Sequence, residues 1–268
     1  MAVVFKPTEG LTDKPFHYCP GCCHGIIHRI IAESLVEMDL LNSAVEVASV
    51  GCTYNSYEYF NCDAVQAAHG RAPAVATGIK RNLKDQTVFT YQGDGDLASI
   101  GTAEIIHAAA RGEKITVFFV NNAVYGMTSG QMAPTTLLGQ VTTTSPFGRD
   151  ASYQGYPINV SELIANLTGA VYVERVCLTD YKNIMNAKRA VQKAFNVQKN
   201  NLGFSFVEFL STCPTNWGKE PVAALDWLKE KMIPQYPLGC FKGEDLKFDA
   251  AGNLIAGEVH AGEKEVRA

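Results

Sequence analysis

Two sets of residues in this 268-residue chain have the types and spacing that hold metals. The first is Gly93-Asp-Gly-Asp96 followed by Asn121-Asn122, with 25 residues (96–120) between Gly95 and Asn121. A hard divalent cation such as Mg²⁺ takes oxygen ligands in near-octahedral array and shares its shell with water and phosphate oxygens. The carboxylate of Asp94, the side-chain amide of Asn122 and the backbone carbonyl of Val124 would supply three of them. The second set begins with Cys19-Pro-Gly-Cys22. Two thiolates separated by two residues, with Pro and Gly shaping the turn, can grip one metal centre. Zinc would need two more nitrogen or sulfur ligands and a [4Fe–4S] cluster two more cysteines, and the CxxC by itself does not choose between them.

The flanking segments place both sets at strand ends. Residues 87–91 read as a buried strand from their β-branched and aromatic content, and the glycines that follow allow a tight turn at its carboxyl end. Residues 99–111 read as a helix closed by Gly112, and 115–120 as a second strand that delivers Asn122 to the same edge. Ligands bind to open α/β sheets at that edge. Cys52 follows the strand-like 45–50, Cys213 follows 204–210, and a helix over about 25–41 follows the CxxC. The Asp94/Asn122 frame resembles the thiamine-diphosphate signature, a GDG followed after a similar interval by NN.

The chain is 47% hydrophobic, enough to bury a full core, and is read as one α/β domain over 1–241 with a polar tail over 242–268, extended or held by a partner chain. A net charge of −4 without a run of Lys or Arg argues against nucleic acid as a partner. The lack of any long apolar stretch argues against a membrane span or signal peptide, so the expected compartment is the cytoplasm. There, eight cysteines point to metal or redox chemistry rather than a disulfide framework. Cys62, Cys177 and Cys240 lack paired spacing and read as free thiols. Residues 123–160 show little periodicity, and following Asn122 directly they are expected to close over the diphosphate. A short helix at 161–167 capped by Ser161, a strand at 170–177, an amphipathic helix at 181–199 and a further helix at 221–232 are scaffold.

Six segments carry a closer likeness: Tyr18-Cys-Pro-Gly-Cys22, Gly51-Cys-Thr53, the run from His69-Gly-Arg71 to Lys80, Gly93-Asp-Gly-Asp96, Asn121-Asn-Ala-Val-Tyr-Gly-Met127 and Cys213-Pro-Thr-Asn216. Over about residues 16–241 the chain resembles the β subunit of 2-oxoacid:ferredoxin oxidoreductases, of the branched-chain 2-oxoacid or 2-oxoglutarate type. The resemblance implies a doubly wound, mostly parallel sheet of the thiamine-diphosphate-binding type. It also implies a [4Fe–4S] cluster on Cys19, Cys22, Cys52 and Cys213, and Mg²⁺ on Asp94, Asn122 and the Val124 carbonyl. Implied cofactor contacts are Gly51, Cys52, Thr53, His69, Gly70, Arg71, Gly93, Gly95, Asp96, Gly126 and Met127, with His24, His69 and Arg71 as catalytic candidates. Cys23 and Ser129 stand where the family has glycine, and Cys23 is read as unligated. The implied activity is oxidative decarboxylation of a 2-oxoacid with coenzyme A, with electrons leaving through the cluster to ferredoxin. Thiamine diphosphate would supply the carbanion and electron sink. The activating carboxylate would come from an α-type subunit carrying the aminopyrimidine domain, alongside γ and ferredoxin-like δ subunits. Pyruvate is the alternative substrate. A zinc-bound interaction module and a non-oxidative thiamine-dependent lyase are the alternatives in kind.

Overall fold

The computed structural model describes residues 6–257 and residue 259. The buried β-branched and aromatic runs form β1 (Ala44–Ala48), β2 (Asp63–Gln66), β3 (Thr87–Gly93), β4 (Thr116–Asn121), β5 (Ala170–Cys177) and β6 (Phe204–Leu210). These are parallel, and β7 (Gly239–Lys242) adds an antiparallel edge, in the order β2-β1-β3-β4-β6-β5-β7. Every residue of β4 and β6 is buried, as strands covered on both faces must be. Within β4 the strand period sends Val117 and Phe119 into one layer and Phe118 and Val120 into the other.

In chain order the helices are α1 (His24–Glu37), α2 (Ser56–Tyr59), α3 (Ala72–Asn82), α4 (Thr102–Ala110), α5 (Ala151–Gln154), α6 (Val160–Ala165), α7 (Tyr181–Lys199), α8 (Pro214–Trp217), α9 (Pro221–Trp227) and α10 (Ile233–Gln235). α1 and α7 share the core layer on one face, where Lys188 also ties them through Glu33 (2.9 Å) and Glu37 (2.6 Å). α3, α4 and α6 cover the other face. Leu228, Met232 and Tyr236 pack with Ala123, Leu137 and Leu210 over the carboxyl ends of the strands.

Several boundaries differ from the sequence reading for local reasons. α1 ends at Glu37, before Asp39 takes a left-handed conformation (φ 54°). The helix expected from 99 is preceded by a π-type turn over Asp96–Ile100, closed by Gly101 N–H donating to the Asp96 carbonyl at 2.8 Å. Ser161 does not cap α6; Asn159 holds that position, and the Ser161 hydroxyl donates to Glu208 at 2.5 Å. α9 runs on through a second π-type turn, Leu228–Met232.

The tail expected to be extended from 242 onward is corrected for residues 242–257. β7 crosses the expected boundary, and β8 (Lys247–Phe248) pairs with β9 (Leu254–Ala256) in an antiparallel hairpin. Leu246 is buried against the α1/α7 layer, and Lys199 and Asn200 at the end of α7 donate to the Ala251 and Gly252 carbonyls. One buried leucine in a polar stretch gives no periodicity, yet it anchors the return. The rest of the expected tail, 258 and 260–268, lies outside the described residues.

Candidate functional site

From β1 the chain goes to β2 on one side and then to β3 on the other, so the carboxyl ends of β1 and β3 border a crevice at a topological switch point. A cleft opens there. It is lined by the turn after β1 (Val50, Gly51, Cys52), the turn after β3 (Gly93, Asp94, Gly95, Asp96), Asn122 after β4, and residues 125–128 beyond it.

Asp94, Asn122 and Val124 converge on one side of this cleft. Asp94 is 4% exposed, and its carboxylate accepts from Gly95 N–H (3.0 Å), Val124 N–H (3.2 Å) and the Thr135 hydroxyl (2.9 Å). The Asn122 side-chain amide stands 2.6 Å from the Val124 carbonyl oxygen and 3.2 Å from Asp94 Oδ2, and with its nitrogen turned toward them it donates to both. Turned over, the same amide would present its oxygen beside the other two, an arrangement that a cation among them would favour. Burial pushes the Asp94 carboxyl up to about 7 against the pull of Thr135, Val124 and Gly95. The donor set therefore fits a hard divalent cation, whose charge would favour the carboxylate form.

The thiols gather beside this site. A β-carbon on Gly126 would lie 3.1 Å from Cys52 Sγ and 3.6 Å from Cys213 Sγ, so glycine leaves the two sulfurs room. Asn216 Nδ2 donates to the Gly126 carbonyl (2.8 Å) and to Cys213 Sγ (3.3 Å). Burial raises Cys22, Cys213 and Cys52, the last up to about 12. The charges that raise them further include Cys52 and Cys213 themselves and Cys19. Cys23 also raises Cys22, and Asp94 raises Cys52 and Cys213. Among the described residues, no three His, Cys, Asp or Glu side chains are grouped so as to hold a single metal ion. Cys23 is buried with its thiol 3.2 Å from the Thr212 hydroxyl, and all eight cysteines, Cys62, Cys177 and Cys240 among them, are free of disulfides.

Not every expected contact reaches the cleft. Arg71 is not among its lining residues; it caps α3 and pairs with Glu104 on α4, so its guanidinium is spent on joining two helices. Thr53 is fully buried with its hydroxyl 2.5 Å from Ser49 Oγ, a role inside the turn. Asp96 borders the cleft, but its oxygens accept from Val50 N–H, Gly70 N–H and Gln92 Nε2, and Oδ1 lies 2.7 Å from His69 Nδ1. It shapes the wall. Gly70 does not line the cleft either and needs its glycine for other reasons: φ is +75°, and a β-carbon would lie 2.7 Å from Gly101 N. His24 lines the cleft, its Nδ1 2.5 Å from the Tyr91 hydroxyl, and burial lowers it to about 3, so its imidazole is neutral. His69 and Met127 line the cleft as expected.

Sequence reasoning missed Thr135, Tyr125, whose hydroxyl donates to Ser99 Oγ (2.9 Å), and Trp217, whose Nε1 donates to the Asn122 carbonyl (3.1 Å). The long segment after Asn122 contributes Tyr125 to Thr128 as wall and Thr135 as a donor. Beyond that it is tied down by buried Arg149, which donates to the carbonyls of Pro134, Thr136, Gln154, Gly155 and Tyr156. Ser129, at a glycine position of the family, keeps a positive φ of 82°.

The family model for the thiamine pyrophosphate enzyme C-terminal TPP-binding domain matches residues 42–209. The 2-oxoglutarate synthase subunit KorB of Methanocaldococcus jannaschii is 33% identical, over 91% of this chain and 87% of that protein. This chain belongs to the 2-oxoacid:ferredoxin oxidoreductase β-subunit family. A higher identity, 52%, is found with the ketoisovalerate oxidoreductase subunit VorA of Methanothermobacter thermautotrophicus, over 89% of this chain and 50% of that protein. The chain therefore spans about half the length of the VorA relatives. Among solved structures, the 2-oxoglutarate:ferredoxin oxidoreductase from Magnetococcus marinus with 2-oxoglutarate, coenzyme A and succinyl-CoA bound matches with a TM-score of 0.73 at 24% identity, covering 91% of this chain and 87% of that one. That likeness bears on the fold, which agrees with the doubly wound sheet expected from the sequence. No helix among the described residues is long and apolar enough to cross a membrane.

Proposed function

We propose that this chain is the diphosphate-binding β subunit of a thiamine-diphosphate-dependent 2-oxoacid:ferredoxin oxidoreductase acting on branched-chain 2-oxoacids such as 2-oxoisovalerate. The observation that supports the reading is the cleft itself, where Asp94, the Asn122 amide and the Val124 carbonyl converge on one wall and the Cys52 and Cys213 thiols stand beside Gly126. The net reaction converts 2-oxoacid, coenzyme A and two oxidised ferredoxins to acyl-CoA, CO₂, two reduced ferredoxins and a proton.

Asp94, Asn122 and the Val124 carbonyl would hold Mg²⁺ and through it the diphosphate, and Cys19, Cys22, Cys52 and Cys213 would hold a [4Fe–4S] cluster. Bound there, thiamine diphosphate supplies the carbanion and electron sink for decarboxylation, and the cluster accepts electrons singly. The chain's own residues orient and insulate. Asp96 fixes the His69 ring beside the cleft; neutral His24 offers a hydrogen bond without a charge; buried Val120 and half-buried Val50 help keep water from the reacting groups.

Val50, Ile100, Val120 and Met127 in the lining support a substrate with an apolar side chain. The higher identity to a ketoisovalerate subunit points the same way. The aminopyrimidine half of the cofactor and its activating carboxylate are assigned to an α-type partner, with γ and δ subunits and ferredoxin completing the assembly. Assay of the assembled complex with viologen as acceptor is expected to give a higher kcat/KM for 2-oxoisovalerate than for 2-oxoglutarate or pyruvate; the reverse order would overturn the substrate assignment. The chain alone, reconstituted with iron, sulfide, Mg²⁺ and thiamine diphosphate, is expected to be inert, and activity matching the complex would overturn the need for a partner.

A further inference from the structure

Behind the metal-binding edge, in no contact with the cleft, lies a buried ion pair between Arg175 on β5 and Glu208 on β6, both side chains fully buried. We propose that this pair is the positioning centre of the Mg²⁺ site, holding the Asp94 half and the Asn122 half in register through two separate arms. The inference rests on the reading of Asp94, Asn122 and Val124 as Mg²⁺ ligands.

The first arm runs through Asn121. Glu208 accepts from Arg175 Nε (2.8 Å), the Ser161 hydroxyl (2.5 Å) and Asn121 Nδ2 (2.8 Å). With its amide nitrogen committed to Glu208, Asn121 presents Oδ1 to Ala123 N–H at 3.1 Å. That bond spans Asn122 and braces Ala123 at φ +58°, a left-handed conformation that a side chain with a β-carbon disfavours. The second arm runs through Tyr236. The Arg175 guanidinium lies 5.4 Å from the centre of the Tyr236 ring; the Tyr236 hydroxyl donates to the Thr135 carbonyl (2.5 Å), and the Thr135 hydroxyl donates to Asp94 (2.9 Å). Arg175 is itself fixed by a two-pronged contact with Glu162 (2.9 and 2.5 Å) and by the Pro237 carbonyl (3.0 Å).

Stability alone does not explain such a pair, because well-packed apolar residues often serve a buried position as well or better. Apolar replacements could not orient Asn121. The arrangement has what an alignment device needs: one rigid cation, its carboxylate, a hydrogen-bonded path to the Asn122 half, and a path to the Asp94 half that starts with a cation–ring contact and continues through hydrogen bonds.

The test is titration of the full chain with Mn²⁺ at fixed thiamine diphosphate, followed by tryptophan fluorescence, since Trp217 donates to the Asn122 carbonyl and senses the site directly. Glu208→Gln keeps the shape but sets an amide N–H against either Arg175 or Asn121, and is expected to raise the Mn²⁺ half-saturation about tenfold. Tyr236→Phe keeps the ring on Arg175 and loses only the hydroxyl, and is expected to raise it about threefold with little change in melting temperature. Lys188→Met, which breaks the α1–α7 ion pairs instead, should leave the half-saturation at the parent value. If the two site variants melt lower with half-saturation unchanged, the pair is merely structural and the inference falls. If Glu208→Gln does not fold, Tyr236→Phe decides alone. A parent chain with no saturable Mn²⁺ response would remove the metal reading, and this inference with it.

Discussion

The oxygen site and the thiol pocket adjoin each other, yet they are built in opposite ways. Asp94 and Asn122 follow two strands that are neighbours in both sequence and sheet, β3 and β4, and every donor around Asp94 has a visible origin. The thiols arrive from three distant places: a turn before α1, the turn after β1 and the end of β6. Cys19 is exposed and Cys213 buried, and both they and Cys22 lie outside residues 42–209, the part shared with thiamine pyrophosphate enzymes at large. Adjacent strands fix the oxygen site, whereas three of the four thiols stand on segments outside the common cofactor domain.

The largest effect that would test this contrast is on the sulfur side. Cys213→Ala is expected to abolish stoichiometric iron and sulfide in anaerobically purified protein, and Cys240→Ala to leave both intact; stoichiometric zinc without iron would break the assignment outright. Asp94→Asn keeps the shape and removes the charge, and is expected to weaken Mg²⁺-dependent retention of thiamine diphosphate by about 10–100-fold while the iron content holds, as dialysis equilibrium would show. Gly126→Ala probes the boundary, because its β-carbon would meet Cys52 Sγ at 3.1 Å and Asn122 Nδ2 at 3.5 Å. Overpacking of this kind costs about 1–3 kcal/mol, and the loop-held thiols should yield first, with iron lost before metal retention changes.

The smallest effect concerns Glu46 on β1, where burial pushes the carboxyl up to about 8 against the pull of Ser56. A carboxyl raised in the folded state is stabilising below its unfolded pKa, and that contribution is lost as pH rises toward the folded value. Glu46→Gln removes the titration. Its melting temperature should therefore gain on the parent by several degrees between pH 5 and pH 8, and a difference that stays constant would contradict the assignment.

What the sequence revealed follows the same division. Asp94 and Asn122 were legible because a strand, a glycine turn and a second strand are local patterns, and the cysteines because their type is scarce and their positions follow strand ends. Thr135, Trp217 and the Asn121–Glu208 pair were not legible, since their partners stand 41, 95 and 87 residues away and only the sheet order brings them together. Arg71 misled for the same reason: a cation beside a glycine turn looks fit for phosphate until α4 brings Glu104 to it. The return of residues 242–257 hung on Leu246 and gave no periodic signal.

Arg149 gives the long segment after Asn122 an unexpected character. Exposed, irregular stretches of this length are where proteases ordinarily enter. Here one guanidinium holds five carbonyls on both sides of itself. The segment offers no slack to a protease, and cleavage under native conditions should begin elsewhere in the chain.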